Sequence, residues 1–586
     1  MEFLNSLADQ QLHHTQKAQP PLTMDENLRK KYNFFYNLHN NYRDLLYFIF
    51  TNKHNIKIMK EQNIFINQIG YATESQKFGY VRCHKDKEFY IKDEKNQIVY
   101  SGKLNAPKKD RVAAEDICTI DFSDFTQKGK FYICVADDVS FPFEIGENLF
   151  SDLYYKTLRY FYLSRCGQKI EDKDFGHEPC HTGKALIYGT NQEIEVQGGW
   201  HDAGDYGRYI IAGTKTCMDL LLAYEQSKNT FQEFDILAEV RFELEWMLQM
   251  QRPDGALYHK ISCFNFCGFI EPQDEKEQIV LAPISTTATA DFAGCAAYAH
   301  TFYKKSDPAF AKKLLDAAIK AQNFIDSNPD FIYTNPPEIT TGSYGDRNIT
   351  DEKYFALCSL YAATKDKKYL EKAIDLFQNY QEIPRDGTEP QKTEMYQGFG
   401  WGSVAAYGTE ILLKNKDLID TNLYQTLKNA IIDRAEKLTE ISKNASFGTC
   451  FTGVMWGSNG HICDEAHLLL LAHDISGKKE YFDVAKKQFD YILGCNPMNF
   501  CYVTGFGSIS PKYPHHRPSG ALKKVMPGML AGGAAEGLMD VHAKKHLQGK
   551  PPLQCYLDIS GSYSTNEVAI YWNSPLVYVI AKLGLV

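Results

Sequence analysis

No stretch of the 586 residues approaches the ~20 consecutive apolar side chains that span a bilayer, so a helical membrane protein is excluded and a soluble one expected. The most apolar run near the start, LLYFIF (Leu45 to Phe50), is too short for a secretory signal core and lacks a cleavage site, which makes a cytoplasmic location the expectation. Basic stripes are missing as well. Lys and Arg number 64 against 73 Asp and Glu, a formal net charge of −9, and this speaks against a nucleic-acid partner. No fixed repeat period of the solenoid kind runs through the chain. The 15 cysteines are odd in number and scattered from Cys83 to Cys555, a pattern of reduced thiols rather than of a disulfide framework.

Aromatic residues, by contrast, are abundant: 37 Tyr and 36 Phe contribute to a 13% aromatic content. Such a chain can build flat, hydrogen-bonding walls for sugar rings, or simply a core rich in Phe and Tyr. Three regions follow one another. Residues 1–58, rich in Asn, Gln, His and Lys, read as an extension unlike the rest, with Met59 the expected natural start. Residues 59–149 hold short β-rich runs between turn clusters (IFINQIGY, KFGYVRC, ICTIDFS, GKFYICVADDVSFPFEI), the pattern of a small β-sandwich. Residues 150–586 switch to helical periodicity, with about a dozen amphipathic runs in consecutive pairs. Either an α-solenoid or a closed toroid of helical hairpins fits; with no repeat period, the (α/α)6 barrel is the better reading. The fold class expected is therefore mainly α, with a β-sandwich in front.

Four groups of residues carry chemistry. In GGWHDAGDYGRY (Gly198 to Tyr209), Asp202 and Asp205 sit three apart in a glycine-containing turn that can aim both carboxylates at one point. A bare D-x-x-D is equally an Asp cap or a calcium loop. In YLDISGSYSTNEVAIYWNSP (Tyr556 to Pro575), Ser564-x-x-Glu567 has the form of a capping box. Pro575 would then fall inside the helix at a cost of about 3 kcal/mol, so the favoured parse starts the last helix with Ser574 as N-cap and Pro575 at N1. Glu567 is thereby left before the helix, free to face a cleft. In YVTGFGSISPKYPHHRP (Tyr502 to Pro518), His515, His516 and Arg517 make a cationic, donor-rich turn, or a solvated surface one. Finally, Cys166, Cys180, His181 and His201 are two thiols and two imidazoles, read either as ordinary buried residues or as a closed tetrahedral zinc site.

The first three stretches, in this order, resemble glycoside hydrolase family 9, the inverting cellulase family, in its subgroup with an N-terminal immunoglobulin-like domain. GGWHDAGDYGRY matches the family's aspartate motif. Tyr556, Asp558, Tyr563, Glu567, Ala569, Asn573 and Ser574 match its acid-bearing signature, and TGFGS with PHHR its histidine-arginine signature. QRPDGALYHK, PISTTATADFAG and WGSNGH also look like the family, and the resemblance runs from about Phe65 to the C-terminus. It implies an inverting endoglucanase or cellulase acting on β-1,4-glucans or their oligosaccharides. Asp205 would be the base, Asp202 would help hold the water, and Glu567 would be the acid, since inversion needs one ionised and one protonated carboxyl on opposite faces of the sugar. His515, Arg517 and Tyr563 would bind substrate, while Trp401, Trp456 and Trp572 are candidates for stacking on sugar faces or for the core. The resemblance also implies structural zinc on Cys166, Cys180, His181 and His201, and calcium near the cleft, where the loop Gly342 to Glu352 offers oxygen donors. Two departures stand out: Ile509 where Asn, Lys or Arg is usual, which puts subsite preference in question, and Cys501 where Ser, Thr or Val is usual. The competing readings are an exo-acting hydrolase of oligosaccharides, including β-glucosaminides, a non-catalytic glycan-binding protein on a decayed barrel, and a zinc-containing prenyltransferase-like toroid. No protein partner is indicated.

Overall fold

In strand Glu88–Asp93, Phe89 and Ile91 point inward while their neighbours reach water, and this two-residue alternation runs through the N-terminal part of the chain. The computed structural model describes residues 63–586 except 84 and 384–388, so the expected 1–58 extension lies outside the described residues. Ile64–Phe65, Phe78–Arg82 and Ile117–Asp121 form one sheet. Gly70–Ala72, Phe143–Gly146, Gly129–Val135, Glu88–Asp93 and Ile98–Lys103 form the other, in that order. Ile64, Tyr71, Val81, Phe89, Ile91, Phe131 and Ile133 fill the space between them.

Beyond Phe150 the described residues include twelve helices of ten residues or more. In chain order these are α1 (Ser151–Leu163), α2 (Ile210–Ser227), α3 (Ile236–Gln249), α4 (Thr286–Tyr303), α5 (Pro308–Ser327), α6 (Thr350–Thr364), α7 (Lys367–Gln378), α8 (Ala405–Lys414), α9 (Thr421–Asn444), α10 (Ser458–Ser476), α11 (Lys479–Ile492) and α12 (Ile570–Lys582). The even-numbered helices form a closed inner ring, with α12 packing back onto α2, and the odd-numbered ones lie outside them. The sequence separates the two sets. From Thr286 to Ala299 every residue of α4 is buried, so it is covered all round, whereas α9 buries only Leu427, Ile431, Ala435, Leu438, Thr439 and Ser442 along one stripe. Asp235, Asp307 and Asp420 cap the outer helices α3, α5 and α9 by accepting a backbone N–H of the first turn. No described helix is long and apolar enough to cross a membrane.

The last helix corrects the sequence parse. α12 begins at Ile570, four residues before the expected cap Ser574, and Pro575 lies inside it. Tertiary contacts outweigh the local cost. Asn573 holds Leu530 N–H on its side-chain oxygen and donates to the carbonyls of Thr157 and Gly528, while Ser574 Oγ donates to Asp219 Oδ2 at 2.7 Å. Ser564 makes no capping box with Glu567 either, because its hydroxyl and backbone N–H both go to Asp540.

Candidate functional site

Segments that lead into the inner helices bring the candidate residues to one rim: Asp202 and Asp205 before α2, Trp401 before α8, Trp456 before α10 and Glu567 before α12. The aspartate loop is folded by its glycines and by buried acids. Gly199 has φ +82°, and a Cβ there would meet the Trp246 ring at 2.6 Å, so only glycine fits. Glu243 takes the backbone N–H of Trp200 at 2.7 Å, and Glu239 takes its indole N–H at 2.8 Å. The carbonyl of Asp202 accepts from Ile570 N–H at 2.8 Å, which ties this loop to the start of α12.

The three motif loops meet at Gly204. A Cβ added there would lie 2.3 Å from the His515 carbonyl oxygen and 3.1 Å from Glu567 Oε1. His515 N–H donates to the Asn566 carbonyl at 2.8 Å, and Arg517 donates to the Gly204 carbonyl from both its backbone and its guanidinium, at 3.1 and 2.6 Å. Asp202 and Asp205 are buried, at 1% and 7% exposure. Tyr344 Oη donates to Asp202 Oδ2 at 2.5 Å, whereas Asp202 Oδ1 is buried without a protein partner. Asp205 Oδ2 accepts from Gly207 N–H at 3.1 Å and Tyr209 Oη at 3.3 Å.

Protonation follows from this packing. Burial, and then the charge of Asp205, push Glu567 up to about 8, against Arg517, the Gly204 N–H and the Trp456 side chain. Burial raises Asp205 as well, opposed by Arg517 and by the Gly207 and Tyr209 hydrogen bonds. Asp202 is driven well above the carboxylate range by burial and by Asp205. The site thus holds a protonated Glu567 near neutral pH beside a carboxyl pair in which Asp205 is the better stabilised anion. The turn that bears His515 is less cationic than the sequence suggests. Burial lowers His515 to about 4 and His516 to about 3, so Arg517 is its lone cation.

The aromatic candidates divide. Trp456 and Tyr563 pack with ring centroids 5.2 Å apart, each 36% exposed, and Trp401 is half-buried 5.1 Å from Tyr344. Trp572 has no face free for a sugar: it is buried against Gly457, Gly460 and Gly532, and the stacking expectation is corrected to a core role. Ile509 is also a packing residue, half-buried on the barrel core with its N–H on Gln68 Oε1 of the sandwich. Cys501 is buried beneath Gly507. Tyr344, Tyr209 and Tyr571 were not singled out by sequence; Tyr344 lies in the loop noted only for oxygen donors, and no local pattern ties it to Asp202.

Cys166, Cys180, His181 and His201 converge. Cys166 Sγ lies 3.8 Å from Cys180 Sγ and 3.6 Å from His181 Nδ1, and Cys180 Sγ lies 3.6 Å from His201 Nε2. Bonds of about 2.3 Å to sulfur and about 2.1 Å to nitrogen at tetrahedral angles give edges of about 3.8 Å and about 3.6 Å. The donor set therefore fits a tetrahedral zinc-sized ion. His181 Nε2 meets Glu275 Oε2 at 2.9 Å, the outer carboxylate that fixes a ligating imidazole.

Comparison with known proteins places the chain in a family. The family model "Glycosyl hydrolase family 9" matches residues 150–580, and "Cellulase N-terminal ig-like domain" matches 59–140. The chain belongs to glycosyl hydrolase family 9. It is 34% identical over 552 residues to a cellodextrinase of Butyrivibrio fibrisolvens, covering 89% of this chain and 100% of that one. A thermostable endoglucanase from Alicyclobacillus acidocaldarius superposes with TM-score 0.82 at 31% identity, covering 89% of this chain and 99% of that one. A Zn-binding triple mutant of the family 9 endoglucanase J30 superposes with TM-score 0.81 at 27% identity, covering 87% and 99%.

Proposed function

We propose that this chain hydrolyses β-1,4-glucosidic bonds in cellulose-type glucans and cello-oligosaccharides with inversion at the anomeric carbon. The observation that carries the reading is the meeting of the three motif loops at Gly204, which sets Glu567, held up to about 8, beside the buried Asp202 and Asp205, with the charge of Asp205 helping to hold it there. Glu567 gives its proton to the leaving oxygen, while Asp205 takes one from a water. The unpartnered Oδ1 of Asp202 is the acceptor that orients this water, and the Tyr344 hydroxyl holds the other oxygen in place. Arg517 stabilises Asp205 as the anion. His515 and Tyr563 line the acid side, and Trp456, whose side chain favours the Glu567 anion, offers the adjacent exposed ring. A glycan-binding protein on a decayed barrel would have no use for this arrangement.

Cys166, Cys180, His181 and His201 are assigned to structural zinc. The ion would add folding free energy and clamp the loop that carries Asp202, since His201 is the residue immediately before it. For calcium, the loop noted in the sequence contributes its far end. Asp351 and Glu352 are buried with Asp291 of α4, and no carboxylate oxygen of Glu352 or Asp291 has a protein hydrogen-bond partner. These three carboxylates do not bring their oxygens within 4.8 Å of one another, so calcium here would need further oxygen donors.

Short cello-oligosaccharides form a second reading within the same chemistry, favoured by the end-to-end match to a cellodextrinase. Mass spectrometry of products from cellopentaose and from chitosan oligomers, with the anomer first formed read by NMR, tests both. Internal cleavage of cellopentaose with α-anomer product is expected. Initial β-anomer, or cleavage of chitosan oligomers alone, would overturn the assignment.

A further inference from the structure

A lysine is rarely buried without a charged partner. Lys260, the first residue of strand Lys260–Cys263, is fully buried, and among the described residues no carboxylate accepts from its ammonium. It donates instead to one loop: to the Thr341 carbonyl at 3.3 Å, the Thr341 hydroxyl at 2.9 Å and the Gly342 carbonyl at 2.5 Å. His259, one residue earlier and equally buried, holds the next carbonyl, that of Ser343, at 2.8 Å from Nε2. Burial lowers His259 to about 3, so the ring is neutral. With Nε2 donating to a carbonyl, Nδ1 must accept, and the Ser285 hydroxyl lies 2.8 Å away to donate. The ring itself is stacked on Tyr333, centroids 3.6 Å apart. Two adjacent side chains thus grip three successive carbonyls.

The residue after those carbonyls is Tyr344, and its φ is +47°. A side chain other than glycine is strained in this left-handed region and stays there only where its surroundings over-determine it. The site uses that conformation. Tyr344 lays its ring 4.7 Å from Tyr209 and gives its hydroxyl to Asp202 Oδ2. Lys260 is also paired with Tyr209 across the strand ladder, its Nζ 5.4 Å from that ring's centroid, and Tyr209 in turn donates to Asp205 Oδ2. Gly342 packs on the Tyr209 hydroxyl, where an added Cβ would come within 3.1 Å. We propose that Lys260 and His259 are positioning residues for hydrolysis: they hold residues 341–343 so that Tyr344 keeps its left-handed turn and fixes Asp202 with Oδ1 toward the attacking water. Both act through Tyr344. The clamp stands on geometry alone; its purpose rests on the hydrolytic reading.

Lys260→Met keeps the length of the stem and removes every donor. In the full chain, as purified with its resident metals, its kcat on cellopentaose should fall on the order of 10²-fold, the cost of a displacement of about 1 Å, while KM moves less than about twofold. His259→Phe, which keeps a ring on Tyr333, should change kcat in the same direction, and it serves as the test should Lys260→Met fail to fold. Tyr344→Phe supplies the reference. Because the clamp acts through the Tyr344 hydroxyl, combining Lys260→Met with Tyr344→Phe should be no slower than the slower single variant. A crystal structure of whichever clamp variant folds should show Tyr344 out of the left-handed region, its hydroxyl withdrawn from Asp202. Losses that multiply in the double variant, a change carried by KM alone, or a Tyr344 that has not moved would each overturn the proposal. The crystal structure reads the clamp without reference to activity. Initial β-anomer from the wild type, in contrast, would overturn the inverting reading and the purpose given to the clamp, though not the clamp itself.

Discussion

Glu567 is expensive to keep in place, and its cost has a sign that can be measured. A carboxyl that titrates near 4.3 in an unfolded chain is held up to about 8 here, so the folded state retains a proton that the unfolded state has lost. Its contribution to stability is fully present below the unfolded value and is lost as pH rises through about 8. Glu567→Gln removes that liability. The variant should melt above the wild type, with a gap that widens between pH 5 and pH 8 in calorimetry. It should also lose nearly all hydrolysis of unactivated glucan, yet spare dinitrophenyl glycosides, which need little protonation. Equal loss on both substrates would count against the acid role. Asp205 has the complementary test. Asp205→Ala should be inactive in buffer and regain turnover with azide, giving the α-configured glycosyl azide; recovery of the β-azide would contradict inversion.

At the scale of elements, the site depends on loops being pinned rather than on any one helix. Cys166 N–H donates to the Gly199 carbonyl at 2.9 Å and His201 N–H to the Ser164 carbonyl at 2.7 Å, so the cysteine loop and the aspartate loop are laced together around the Cys2His2 set. Cys180→Ser should lower the melting temperature together with kcat, because a displacement of about 1 Å can cost on the order of 10²-fold in rate. Elemental analysis should find about one zinc per chain in the wild type and less in the variant; fully active, zinc-free protein would dispose of the assignment. Gly204 tests the other junction. Its Ala variant would force a methyl against the His515 carbonyl, so turnover of activated and unactivated substrates should fall together. Unchanged kinetics would show that the loops can part without cost.

Across the whole molecule, the sandwich is bonded to the barrel through buried polar groups. Gln68 donates to the Asn499 carbonyl at 2.8 Å and accepts the N–H groups of Ser508 and Ile509 at 2.9 and 3.1 Å, while Asn67 donates to Asp490 at 2.9 Å. Ser508 and Ile509 lie in the loop that leads to His515 and Arg517. Gln68→Ala would leave three backbone groups unsatisfied, at about 1–3 kcal/mol each. The expected result is a single transition at lower temperature in calorimetry, with reduced kcat from a loosened histidine-arginine loop. Two separate transitions would mean that the sandwich and the barrel unfold independently.

By itself the sequence determined the class of fold, because that is written in short-range pattern, while Asp202, Asp205 and Glu567 stood out through the family resemblance and not through pattern alone. Two-residue alternation marks strands, a 3.6-residue period marks helices, and glycines around Asp202 and Asp205 mark a turn that can aim side chains. It also named the Cys2His2 set, although spacing alone left ordinary burial open. Only the tertiary structure decided what depends on residues far apart in the chain. Pro575 sits inside α12 because Asn573 and Ser574 find buried partners hundreds of residues away, which no local propensity can anticipate. Trp572 is core and Trp456 is not, since three glycines close over the first. His515 and His516 are neutral because the loop that carries them is buried between two others, and Tyr344 meets Asp202 only when the barrel closes. Charge and protonation at this site come from desolvation, and desolvation is a property of the folded whole.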